Sequence, residues 1–341
     1  MKDTVTRRMS ANRWRRMSAN RWRGAAAAAV IAMAAVGCGP QFPDDGRPRA
    51  AVVLMQEDQF FRLCEYGMRA AAEDEDINVM VTSSRNDLNQ EISLVDTHIA
   101  NQVDALIVAP LSISGSIPAL ESAYNQDIHI VTYDTFIDAA FPVASIQSDQ
   151  TALGRSTGEV VREYIENELS GEARVAIIQY IALAPEPGGM RVEGFEGALE
   201  GLDGVEIVAR QDAWLAPEAT NVAENLLTAH PDLDIIWAAN EGGTVGAATA
   251  VRNTGRAGDV RVFGTDMSGQ IGEFLLADDA ILHAVTGQRP YDIGRLAMES
   301  AAAAIRGEEV EGEVLLPGEL FTRDEPDAIR EYLDFIDEVT R

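Results

Sequence analysis

One stretch of the sequence has the spacing of a catalytic motif. Gly154-Arg155-Ser156-Thr157-Gly158 matches GxSxG, the pattern that sets a nucleophilic serine on a tight strand-to-helix turn. Here Asp149 stands as a helix N-cap, and Leu153, Val160, Val161 and Tyr164 follow at helical spacing. Ser156 is therefore expected inside a helix, where small residues allow close packing. The sequence holds no GxGxxG, no Walker loop and no HExxH. His98, His129, His230 and His283 fall on separate elements without metal-ligand spacing, and each reads as structural. No cofactor and no metal is expected.

A second set of residues suits recognition rather than reaction. These residues follow expected strands: Glu57-Asp58-Gln59-Phe60-Phe61, Thr132-Tyr133-Asp134-Thr135, Trp214, Asn240-Glu241, Gly264-Thr265-Asp266 and Gly287-Gln288-Arg289, with Arg191-Val192-Glu193-Gly194-Phe195 on a helix. Carboxylates and amides pair with adjacent hydroxyls, and arginine donates in a planar fork. Aromatic faces cover the apolar C–H side of a sugar ring. No pair in the set has the look of a base beside a nucleophile.

The elements that must position them alternate strand and helix. Residues 51–55 are a continuous apolar run, as in a strand buried on both faces. Strands are also expected at 78–82, 105–109 and 128–133, with helices at 60–73, 89–101 and 114–125 between them. A second series begins at the helix from 149 to about 169. Its strands are expected at 174–180, 205–210, 233–239, 260–265 and 281–286, and its helices at 190–200, 219–229, 244–253 and 269–276. A late alanine-rich helix covers 290–306 and an amphipathic acidic helix covers 325–341. The pattern is α/β: two successive units, each a doubly wound parallel sheet with right-handed crossovers. Ligands of such sheets sit beyond the strand carboxyl ends.

From about 50 to 317 the chain resembles the periplasmic sugar-binding proteins of ABC importers, close to the ribose-binding branch of the type I family. The resemblance rests on Asn225-Leu226-Leu227-Thr228-Ala229-His230-Pro231-Asp232, which leads through a strand to Asn240, and on Val262-Phe263-Gly264-Thr265-Asp266. The RxxGF stretch at Arg191 and the double aromatic Phe60-Phe61 add to it. It implies that Phe60 or Phe61 and Trp214 sandwich a sugar ring. It also implies that Asp58, Asp134, Arg191, Asn240, Asp266 and Gln288 contact hydroxyls. Asp58 stands where ribose binders carry asparagine, and Thr135 stands where they carry arginine. A neutral monosaccharide or polyol is then expected, and a sugar phosphate is not, because unpaired anions in a closed site are costly.

The resemblance further implies a three-crossing hinge near 146–149, 287–290 and 316–318. One lobe would be 50–147 plus 289–317, the other 148–288 plus 318–341. A monomer delivering its sugar to a membrane permease is expected. Three alternatives remain: a sensor feeding a chemoreceptor or kinase, an exported serine hydrolase built on Ser156, and a sugar-responsive repressor. The last needs a helix-turn-helix module before the first strand.

That space holds an address instead. MSANRWRR at 9–16 recurs as MSANRWRG at 17–24, which reads as a duplicated start. Arg21 and Arg23 precede an apolar run at 24–36, and Ala35-Val36-Gly37-Cys38 follows, so residues 1–37 read as a secretory signal. The ending resembles a lipobox, which implies that Cys38 is lipidated and that 38–49 tether the body to the membrane. The formal charge is −28, and −35 once residues 1–37 are set aside. A body that acidic repels phosphate, so nucleic-acid binding is not expected.

Overall fold

Four runs of small and branched apolar residues become the central strands of two sheets. In the computed structural model, which describes residues 42–340, β1 (Arg49–Leu54), β3 (Ala105–Val108), β8 (Ile235–Ala238) and β9 (Arg261–Thr265) carry almost wholly buried side chains. Each buried Val, Leu or Ile contributes about 1.5–3 kcal/mol relative to leaving it exposed.

The first sheet forms from β1, then α1 (Gln59–Asp74), β2 (Asn78–Ser83), α2 (Leu88–Ala100), β3, α3 (Ile117–Tyr124), β4 (His129–Tyr133) and β5 (Ala144–Ser148). The second forms from α4 (Gln150–Glu168), β6 (Glu172–Gln179), α5 (Pro185–Leu199), β7 (Gly204–Asp212), α6 (Ala216–Ala229), β8, α7 (Glu241–Asn253), β9, α8 (Gly269–Leu276) and β10 (Leu282–Gly287). The chain then returns to the first sheet through α9 (Pro290–Ile305) and β11 (Glu313–Leu316). It ends on the second through β12 (Glu319–Thr322) and α10 (Pro326–Val339). The strand orders are β11-β5-β4-β3-β1-β2 and β12-β10-β9-β8-β6-β7. The chain thus passes between the sheets after β5, after β10 and after β11.

The doubly wound two-lobe α/β architecture is as the sequence suggests, with one departure. The first sheet is parallel throughout, whereas β12 runs antiparallel to β10 at the edge of the second. Pro317 and Gly318 join β11 to β12 across the lobes, so β12 enters the second sheet at the carboxyl end of β10, with Glu319 opposite Gly287. The sequence reading also had no strand at β5, β11 or β12. None of them is a continuous apolar run: β5 (ASIQS) is rich in small polar residues, and β11 (EVLL) and β12 (ELFT) each open on an acid and stay partly exposed.

Glycines set the helix spacing in the same way in both lobes. A Cβ on Gly67 of α1 would run into the Tyr291 carbonyl of α9, and one on Gly294 of α9 into the Cys64 carbonyl of α1. In the other lobe a Cβ on Gly154 of α4 would strike the Arg191 carbonyl, and one on Gly194 of α5 the Thr151 carbonyl. Ser156 therefore lies within α4, beside a helix contact made by Gly154 and Gly158, and not on a strand-to-helix turn. The GxSxG spacing is a packing motif here.

Candidate functional site

The carboxyl ends of both sheets face one cavity of about 490 Å3. That volume is within the usual range of small-molecule sites. The loop after β1, the end of β4 and the start of α9 line it from one lobe; the ends of β7, β8 and β9 line it from the other. The cavity lies where the strand order reverses in each sheet, as expected for open α/β sheets. Of the residues singled out in the sequence, Asp58, Phe60, Phe61, Asp134, Trp214, Asn240, Asp266 and Gln288 line it. Arg191 does not.

Asp266 is the best-supported of them. It ends β9 with φ 71°, a left-handed backbone that Asp tolerates better than most residues, and its N–H donates to the Thr286 carbonyl at 2.9 Å. Its carboxylate accepts from Gln288 Nε2 at 3.0 Å and from the Glu241 N–H at 2.9 Å. Arg191 lies behind it, 5 % exposed, with the guanidinium 3.3 Å from Asp266 Oδ1. The same guanidinium donates to the Ala239 carbonyl at 2.8 Å and to Gln150 Oε1 at 2.7 Å, and sits 5.6 Å from the Tyr180 ring centre. Arg191 thus holds Asp266 in place from outside the cavity.

Gln288 connects this network to the hinge. Its Oε1 accepts from the Ser148 hydroxyl at 2.8 Å while its Nε2 serves Asp266. Ser148 ends β5 at the first crossing and Gln288 begins the second, so one amide side chain ties two crossings to a cavity carboxylate.

Asn240 shows how local structure and site share atoms. It is the N-cap of α7: Oδ1 accepts from the Gly243 N–H at 3.2 Å, and Nδ2 donates to the Trp214 carbonyl at 2.9 Å. Asn240 is 4 % exposed and fixes the backbone of Trp214, whose ring is 45 % exposed and stands edge-on to Tyr180 at 5.2 Å. Asp58 does the same for α1. Its Oδ1 accepts from the Phe61 N–H at 3.0 Å and its Oδ2 accepts from Gln56 Nε2. Phe61 is buried against Tyr133, and Phe60 is half-buried in the cavity wall. Both phenylalanines line the cavity, and Phe61 is also part of the first lobe's core.

Asp134 stands apart. It ends β4 with φ 62°, and its N–H donates to the Ile146 carbonyl at 2.9 Å. Its carboxylate accepts no hydrogen bond from the described residues. Burial pushes its pKa up to about 6; Arg191 lowers it, and Asp58 and Asp266 raise it. Burial likewise raises Glu241.

Gln56, Met267, Ser268 and Gln270, which the sequence reading did not name, also line the cavity, as does Gln59, which it gave no role. Gln59 Nε2 is buried there without a hydrogen-bond partner. Adjacency to Asp58 and Asp266 is the signal that could have found them. Among the described residues no group of His, Cys, Asp and Glu could hold a metal ion, and no helix is long and apolar enough to cross a membrane. Cys38 lies outside the described residues.

Comparison with known proteins agrees with this geometry. A family model for a periplasmic binding protein domain matches residues 50–309. The ABC transporter periplasmic-binding protein YphF of Escherichia coli K12 is 30% identical over 282 residues, covering 80% of this chain and 85% of that one. A solute-binding protein from Actinobacillus succinogenes 130z, solved with bound D-allose, is 27% identical. It superposes with a TM-score of 0.73 over 83% of this chain and 100% of its own. A solute-binding protein from Bacillus halodurans C-125, solved with bound myo-inositol, is 26% identical with a TM-score of 0.71, covering 85% and 98% of the two chains. The family match runs through both sheets and the cleft between them: the chain belongs to the periplasmic binding protein family.

Proposed function

We propose that this chain captures a monosaccharide or polyol in the cleft between its lobes and delivers it to an ABC permease. The observation that carries this reading is the cavity itself: both lobes line it, with carboxylates, amides and aromatic rings at strand ends. Relatives solved with D-allose and myo-inositol support the ligand class. The family supports a location outside the cytoplasm.

The lobes, 50–147 plus 289–317 and 148–288 plus 318–341, close on the ligand about the three crossings. A ligand held by one lobe alone gains little from closure. One that touches Phe60 and Asp134 on one side and Trp214, Asn240 and Asp266 on the other binds the closed form more tightly, and that difference shifts the population. Asp266 and Gln288 accept and donate to hydroxyls, Trp214 and Phe60 cover the C–H faces of the ring, and Asp58 and Arg191 support from the edge. The cleft is anionic, so a sugar phosphate is excluded. The protein works as a monomer and is held to the membrane by lipid on Cys38. Replacing Cys38 by Ser should release it from membranes; retention of that variant removes the anchor.

Calorimetric titration of the full-length protein with pentoses, hexoses, alditols and sugar phosphates tests the ligand class. At least one unphosphorylated sugar or alditol should bind, and Asp266→Ala should abolish it. Absence of binding across the panel contradicts the reading.

A further inference from the structure

The charge of the cleft narrows the ligand further. Asp58, Asp134, Glu241 and Asp266 all line the cavity, and no lysine, arginine or histidine does. Arg191, the guanidinium paired with a lining acid, is committed to Asp266, Ala239 and Gln150 behind the cavity wall. Three of the four acids have partners within the protein. Asp58 caps α1 and takes Gln56, Asp266 takes Arg191, Gln288 and a backbone N–H, and Glu241 has the Ser268 hydroxyl beside it. Asp134 has none, although it lies deep in the cleft at the end of a central strand.

Closure would remove water from this set. A ligand carrying only hydroxyls would leave the excess negative charge without compensation, which is costly in a dry site. The aromatic lining points the same way, because Trp214 and Phe60 are open to the cavity and aromatic faces attract ammonium groups. A metal ion does not meet the need, since no group of acids among the described residues converges to hold one.

We propose that the preferred ligand is an amino sugar or amino-polyol, with its protonated amine seated against the Asp134 carboxylate. This rests on the sugar-or-polyol reading above and refines it. An ammonium brings three donors and one positive charge to a carboxylate that accepts nothing from the protein. Charge-assisted hydrogen bonds of this kind are roughly twice as strong as neutral ones. The amine supplies in the ligand the cation that the cavity wall lacks.

The test is titration of the full-length protein at pH 7 with matched trios: glucosamine, glucose and N-acetylglucosamine; galactosamine, galactose and N-acetylgalactosamine; glucamine and sorbitol. At least one aminated compound should bind ten-fold or more tightly than its hydroxyl parent and its N-acetyl derivative. That advantage should fall at least ten-fold in Asp134→Asn, and partly in Glu241→Gln, which keeps the fold readable if the first variant is impaired. Binding by hydroxyl parents with no amine tighter than its parent in any trio overturns the proposal and leaves the sugar-binding reading standing. Failure of every compound in the trios to bind overturns the amine proposal, and the sugar-or-polyol reading falls with it only if the pentoses and other alditols of the wider panel also fail.

Discussion

Asp134 and Asp266 end the fourth strand of their respective sheets in the same left-handed backbone, with φ 62° and 71°, yet their carboxylates are treated oppositely. Asp266 receives a guanidinium, an amide and a backbone N–H, whereas the Asp134 carboxylate receives nothing from the described residues. The repeated lobe thus presents one satisfied acid and one unsatisfied acid to a single cavity.

This asymmetry predicts a pH signature. Burial lifts the folded pKa of Asp134 from 3.8 to about 6, so between those values the folded chain binds more protons than the unfolded one. The stability from this group is present below about pH 4 and is lost as pH rises to about 6. Asp134→Asn should therefore stabilise the ligand-free protein at pH 7.5, by roughly 3 kcal/mol at about 1.4 kcal/mol per ten-fold change in proton affinity. The gain should vanish near pH 4. Asn also tolerates the left-handed backbone. Paired denaturant titrations across pH check this, and a gain independent of pH would contradict it.

Arg191 is expected to matter as a support. Removing it leaves the Asp266 carboxylate and the Ala239 carbonyl without their donor, so Arg191→Leu should cost about 3–5 kcal/mol and abolish ligand binding. Arg191→Lys should not restore affinity, because one ammonium cannot reach Gln150, Ala239 and Asp266 with the geometry of the fork. Full affinity in the Lys variant would show that charge alone suffices.

The paired glycine contacts predict a sharp contrast between similar substitutions. Gly67→Ala and Gly194→Ala each place a methyl group against a backbone carbonyl of the neighbouring helix. Such overpacking typically costs about 1–3 kcal/mol. Gly189→Ala and Gly197→Ala, on the same helix as Gly194, meet nothing within 4 Å. They should be neutral or gain up to about 1 kcal/mol from helix propensity. Melting temperatures of the four variants measure this directly, and equal effects would contradict the packing account.

Ser156→Ala should leave both stability and sugar binding close to those of the parent. Ser156 sits mid-helix in α4, partly buried, with no hydrogen bond to a histidine or acid among the described residues. A large loss of affinity in that variant would reopen the catalytic reading.

Much of this was legible in the sequence, for physical reasons. The continuous runs that became β1 and β3 can be buried only from both sides, which points to parallel strands covered by helices. Asp149 marked the start of α4 because its carboxylate accepts from the Ala152 N–H. β11 and β12 were not legible, since EVLL and ELFT mix an acid with partly exposed positions instead of forming a continuous apolar run, and their pairing partners lie far away in the chain. Within the site, residue types and strand ends sufficed to gather eight side chains around the cavity. What they could not convey was which atoms the protein itself uses. Asn240 and Asp58 cap helices, and Arg191 faces Asp266 from behind, because those assignments depend on tertiary neighbours 26 to 75 residues away or on local cap geometry.

The central claim is that the lobes close on a small sugar or polyol. Small-angle X-ray scattering of the full-length protein, with and without a saturating ligand from the calorimetric panel, tests it most directly. The account predicts a smaller radius of gyration on binding, with no change for Asp266→Ala under the same conditions. Tight binding with an unchanged radius of gyration would contradict hinge closure.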